Sequence, residues 1–229
     1  MPFRLWSWGT LILSAVLVTL PAAGSGQAPA QADGAALDPR VRAFLERHRG
    51  TWRDLNVPES DGRILHDLIL KRRYTRALEI GTSTGHSGVW IAWALAKTGG
   101  RLITIEIDPQ RHQTALANFK EAGLASYIDA RLADAHQLVP ALRGPFDFVF
   151  SDADKDWYKN YFVAAWPKVV SGGCFTAHNV SGFTRLLSWI PGMGGGIGEF
   201  LAHLKTLPDG DTTIDSSSGQ GISITCKRR

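Results

Sequence analysis

The chain has 229 residues, 44% of them hydrophobic and 20% charged, which suits one domain of ordinary size. Bulk disorder, collagen-like repeats and a polytopic membrane protein are excluded. The net charge of +4 is scattered without a basic stripe, so nucleic acid is not an expected partner, and two cysteines cannot build a disulfide framework.

Residues 5–20 (LWSWGTLILSAVLVTL) are apolar apart from a few Ser and Thr, follow the lone charge Arg4, and run into the small-residue stretch PAAGSGQA. This pattern reads as a secretory signal peptide over residues 1–28, because so short a run falls below the roughly 20 apolar residues that span a bilayer. A retained membrane anchor is the alternative, and the membrane is then touched only through this segment. Residues 29–37 lack apolar periodicity and read as a flexible linker, leaving residues 38–229 as the domain, exported once the leader is cleaved.

The first helix is expected to start with Asp38 as N-cap and Pro39 at its first position, with Val41, Phe44, Leu45 and His48 on one face and Gly50 as the stop. A second helix begins around residues 58–61, buries Ile64, Leu65, Leu68 and Ile69, and ends in Lys71, Arg72 and Arg73. Apolar runs at 77–80, 102–107, 128–132, 146–150 and 174–177 read as strands. They alternate with helices near 87–97, 109–122, 136–142 and 157–169, which implies a parallel sheet covered on both faces. Trp90 and Trp93 are expected in the core. A further helix runs from 198 to 205, and residues 212–216 and 222–226 close the chain as an antiparallel pair.

In an open parallel sheet a ligand lies at the carboxyl ends of the strands. The first strand runs into Glu79-Ile80-Gly81-Thr82-Ser83-Thr84-Gly85-His86-Ser87, where the two glycines allow close backbone approach and a helix N-terminus follows. The second strand ends near Glu106, 25 residues past Gly81, where an acid can accept both hydroxyls of a ribose. An adenosine-type ligand follows. A nicotinamide dinucleotide is disfavoured, because Ser83 and His86 stand where G-x-G-x-x-G needs glycine.

The E-x-G-x-x-x-G-x-S turn, the acid at the second strand end and Ala133-Asp134-Ala135 at the third resemble the S-adenosylmethionine site of Rossmann-like methyltransferases. The segment Asp152-Ala153-Asp154-Lys155-Asp156-Trp157-Tyr158 is similar to the D-A-D-K-x-x-Y stretch of the caffeoyl-CoA and catechol O-methyltransferase family. The likeness extends from Pro58-Glu-Ser-Asp-Gly62 through Gly172-Gly173 to the closing strand. It implies an α/β fold with a mostly parallel seven-stranded sheet, a small-molecule acceptor with a phenolic or catechol-like hydroxyl, and a homodimer. It also implies that Glu79, Gly81 and Ser87 serve the methionine end of the cofactor, Glu106 the ribose, and Asp134 with Ala135 the adenine, with Thr82 and Gly85 also binding the cofactor. Asp152 then borders both cofactor and metal, with Lys155 as general base. A non-catalytic protein that keeps the fold to bind an adenosyl ligand or a partner is the alternative.

One position departs from the family. Its Asp-Asn pair after the fifth strand reads His178-Asn179 here, so the expected metal trio is Asp152, His178 and Asn179. Imidazole is a poor ligand for Mg²⁺. Three expectations follow: a borderline cation such as Mn²⁺, Fe²⁺ or Zn²⁺, a metal-free site with catalytic His178, or an inactive one. Residues 181–198 read as a flap offering Trp189, Ile190 and Met193. Trp157 and Tyr158 line the acceptor pocket or pack the sheet's edge. In this topology Cys174 and Cys226 lie on neighbouring strands, where two buried thiols are expected because a bond demands the right register.

Overall fold

The computed structural model describes residues 34–52, 54–181, 195–217 and 220–229. The expected signal segment, most of the linker and the flap residues Trp189, Ile190 and Met193 lie outside them. No helix among the described residues is long and apolar enough to cross a membrane.

The apolar runs become seven strands: β1 (Arg76–Ile80), β2 (Arg101–Glu106), β3 (Ile128–Leu132), β4 (Phe146–Ser151), β5 (Val169–His178), β6 (Gly210–Asp215) and β7 (Ile222–Lys227). They form one sheet in the order β3-β2-β1-β4-β5-β7-β6. Strands β1 to β5 pair in parallel, while β7 lies antiparallel to β5 and to β6. The order reverses between β1 and β4, and such a switch point opens a crevice at the strand ends.

Helices α1 (Gly34–Arg47), α2 (Glu59–Arg72), α3 (His86–Thr98) and α4 (Pro109–Ala122) contribute to one core with Val89, Trp90, Trp93, Phe119, Phe148 and Phe150. On the other face α5 (Ala135–Ala141), α6 (Tyr158–Ala165) and α7 (Gly195–Leu204) join Leu78, Ile80, Val149, Phe162, Phe175 and Phe200. Strand alternation explains the division: Phe148 and Phe150 point one way, Val149 the other.

Several boundaries differ from expectation for local reasons. Helix α1 starts at Gly34, so Pro39 lies inside it, and Asp38 accepts hydrogen bonds from Trp93 Nε1 at 2.6 Å and Lys97 Nζ at 2.9 Å instead of capping. The tertiary partners outweigh the cap, and a proline so near a helix start forgoes few intrahelical bonds. Strand β5 begins early at Val169, then shifts register between Phe146 and Phe148 before Cys174 pairs with Phe148. The single helix expected over 157–169 is α6 flanked by 3₁₀ turns at Lys155–Trp157 and Trp166–Lys168, the second holding Pro167. The two cysteines are not thiols. Cys174 stands directly opposite Cys226 on β7 and the pair is disulfide-bonded, because the register that the sequence could not supply is the required one.

Candidate functional site

The carboxyl ends of β1, β2, β4 and β5 and the turns that follow β1 to β4 surround a cleft of about 910 Å³. Of the expected site residues, Gly81, Glu106, Asp134, Ala135, Asp152, Lys155, His178 and Asn179 line it. Glu79, Thr82, Gly85 and Ser87 lie behind the lining.

The turn after β1 explains this split. Gly81 has φ of +96°, and a Cβ there would sit 2.7 Å from the Asp152 carbonyl oxygen. Its glycine therefore lets the β1 and β4 turns meet, and a ligand gains access only as a consequence. Gly85, at φ +99°, is pressed against Phe119 of α4, where a Cβ would come within 2.8 Å of the ring, so packing already requires a glycine there. Thr82 is buried and its hydroxyl meets that of Thr104, which in turn donates to Glu79 Oε2 at 2.6 Å. Burial raises the Glu79 carboxyl to about 7, opposed by hydrogen bonds from Ser87 and Thr104. Its other oxygen, Oε1, is buried without a partner among the described residues.

Glu106 is fixed by backbone amides. Oε2 accepts from Ser83 N at 2.7 Å, and Oε1 accepts from Ile107 N at 3.0 Å and Asp108 N at 2.9 Å. A carboxylate has about four acceptor positions, so these amides fill most of them and fix its orientation. Asp134 caps α5 by accepting from His136 N at 2.9 Å. His136 stacks on Trp157 with centroids 3.8 Å apart, and its Nε2 lies 2.8 Å from Asp154 Oδ2, which also accepts from Tyr161 Oη at 3.0 Å. His136, Asp154 and Tyr161 thus form a cleft wall that sequence reasoning missed.

Across the cleft, Lys155 Nζ donates to Asp152 Oδ1 at 2.6 Å and to Tyr158 Oη at 2.8 Å. Tyr158 is fully buried, not an acceptor-pocket surface, and its hydroxyl donates to the His178 carbonyl at 3.1 Å. Burial, with Asp152 close by, pushes its hydroxyl well above the usual tyrosine range.

The largest departure from expectation is His178. Its Nδ1 lies 3.1 Å from Asp152 Oδ2 and its Nε2 2.6 Å from Asp61 Oδ2, with both carboxylates and the ring buried. Burial alone would lower the imidazole, but hydrogen bonds and negative charge from Asp152 and Asp61 outweigh it and raise it to about 9. Asp61 was not among the expected site residues. A signal was present, since Asp61, Leu65 and Ile69 recur every fourth residue along the buried face of α2. His86, by contrast, is structural: Nδ1 sits 2.8 Å from the Val57 carbonyl and Nε2 accepts from Trp90 Nε1 at 3.1 Å.

The cleft suits an adenosyl ligand, with Glu106 held at a strand end over a glycine turn. The expected metal trio does not suit a cation. Both His178 nitrogens face carboxylates and Asp152 is held by Lys155 and His178, while Asn179 donates to Gln220 Oε1 at 2.7 Å through the amide nitrogen, which is not the atom a cation would use. Among the described residues no group of three or more His, Cys, Asp or Glu is arranged to hold a metal ion.

A doubly wound sheet with a strand-end carboxylate over a glycine turn defines a Rossmann-like α/β protein built for a nucleoside-type ligand. The model of the O-methyltransferase family matches residues 34–187, and the chain belongs to that family. A catechol O-methyltransferase of Niastella koreensis is 38% identical over 130 residues, 55% of this chain and 58% of that protein. A catechol O-methyltransferase of Mycobacterium tuberculosis is 42% identical over 82 residues, 35% of this chain and 37% of that protein. The chain therefore spans less than two thirds of these relatives. The solved O-methyltransferase TomG of Streptomyces achromogenes, in complex with SAM, is 28% identical with a TM-score of 0.71, covering 83% of this chain and 90% of that one.

Proposed function

We propose that the protein transfers the methyl group of S-adenosylmethionine to a hydroxyl oxygen of a small phenolic or catechol-like acceptor. The observation that carries this is the pairing of two fixed groups across one cleft, the amide-locked Glu106 and the Lys155–Asp152 pair. S-adenosylmethionine supplies an electrophilic sulfonium methyl. Glu106 holds the sugar by its remaining acceptor position, and the Asp134–Ala135 start of α5 borders the base.

In-line displacement needs an oxygen nucleophile on the far side of the methyl. The step runs from the neutral amine form of Lys155: the acceptor O–H gives its proton to Nζ as the O–C bond forms and the S–C bond breaks. Asp152 Oδ1, 2.6 Å away, stabilises the resulting ammonium. Family membership and this intact pair favour transfer over ligand binding alone.

Calorimetry with S-adenosylmethionine and S-adenosylhomocysteine, followed by mass spectrometry of a phenol and catechol panel, tests the reading. The expected result is binding of both compounds and a gain of one methyl on the acceptor. Lys155→Met is expected to slow transfer about 10²–10⁴-fold while cofactor affinity holds. Absence of binding, or equal turnover in the variant, refutes it.

We also propose export, on the grounds of the apolar run at residues 5–20 and the Cys174–Cys226 bond, which belongs to oxidising compartments. Recovery of the full-length chain with alkylatable thiols from the cytosolic fraction alone would refute it.

A further inference from the structure

We propose that the Asp61–His178–Asp152 bridge takes the place of a divalent cation in this site, so that the acceptor oxygen is met by Lys155 with no metal ligated beside it. Cys174, Thr176 and His178 alternate onto one face of β5, and Cys174 packs in the core that α2 shares. His178 is thereby aimed at α2, where Asp61 is held near the helix start, its amide bonded to the Pro58 carbonyl at 3.1 Å.

The contacts then decide what the ring can do. A neutral imidazole carries one N–H, whereas both His178 nitrogens lie within hydrogen-bond distance of carboxylate oxygens, at 2.6 Å and 3.1 Å. Both nitrogens are engaged by carboxylates in this arrangement and neither is offered to a cation. The ring also stands between two carboxylates, that of Asp61 fully buried and that of Asp152 largely so. Asn179, at φ +58°, donates its amide nitrogen to Gln220, so of the three expected ligands only its carbonyl oxygen stays outside these contacts, and one neutral oxygen is a weak site for a divalent cation.

This inference carries a consequence for the acceptor that rests on the transferase reading above. A cation with open positions grips two adjacent oxygens at once, whereas a single lysine grips one. The site therefore has no chemical reason to demand a vicinal pair of hydroxyls, and acceptors with one phenolic hydroxyl belong to its substrate class.

The test is a titration of the full chain with Mn²⁺, with and without S-adenosylhomocysteine, followed by electron paramagnetic resonance and by thermal melting. The wild-type protein is expected to show no saturable Mn²⁺ binding and a melting temperature indifferent to Mn²⁺ and to EDTA. His178→Asp, which places three carboxylates together, is expected to gain Mn²⁺ binding and to melt higher with Mn²⁺ by on the order of 5 °C. Saturable binding by the wild type that His178→Ala abolishes would overturn the proposal. If His178→Asp does not fold, the wild-type resonance titration decides alone. None of these readouts requires turnover, so a failed transferase reading leaves them intact. Where turnover is found, an EDTA-insensitive rate on a monophenol supports the inference, and a catechol preference that EDTA removes contradicts it.

Discussion

The two sides of the cleft are built by different means. On the β1–β2 side, Glu106 is held by three backbone amides and Gly81 by a backbone contact, so the geometry depends on main chain that any sequence with this fold provides. On the β4–β5 side, Asp61, Asp152, Lys155, Tyr158 and His178 hold one another through side chains. The difference teaches where chemistry can change without cost to the fold. A backbone-held subsite tolerates little variation, while a side-chain network can exchange one charge for another if its partners are present.

The largest effect should come from breaking that network. His178→Ala leaves Asp61 and Asp152 buried without their common partner, and about 3–5 kcal/mol of stability should be lost, on the order of 10 °C in melting temperature. An unchanged melting curve would show that the bridge is not structural. A smaller effect is expected on the opposite side. Glu106→Gln should weaken S-adenosylmethionine binding by about 1.5–3 kcal/mol and lower melting less than His178→Ala does, since its amide group faces at least one backbone N–H that the carboxylate accepted. A matching loss of stability would erase the distinction between the two sides.

A further effect is a pH slope. His178 is raised to about 9 in the folded protein from its ordinary value of 6.5. Its contribution is therefore complete below about 6.5 and is lost as pH climbs through 9. Melting measured across that window should decline in the wild type, and the decline attributable to this group should vanish in His178→Asn. Parallel slopes in both proteins would contradict the bridge as drawn.

Much of the architecture was legible in residue order. The strand runs, the Pro109–Ala122 helix behind its Asp108 cap, and the acids at strand ends appeared because local pattern and short-range hydrogen bonding set them. The site was legible only in part. Asp134 and Glu106 announce themselves by position, but the partner of His178 lies 117 residues away in sequence, and nothing local connects the two. Nor does anything local show that Gly85 makes room for Phe119.

The order of residues by itself determined the alternation of strands and helices, the glycine turn and the carboxylate beyond it, since each depends on neighbours within a few positions. Only the tertiary structure decided that Cys174 meets Cys226, and that a histidine in a metal ligand's place is clasped by two aspartates. Those facts depend on strand register and on how α2 packs against the sheet, and both are properties of contacts between distant segments.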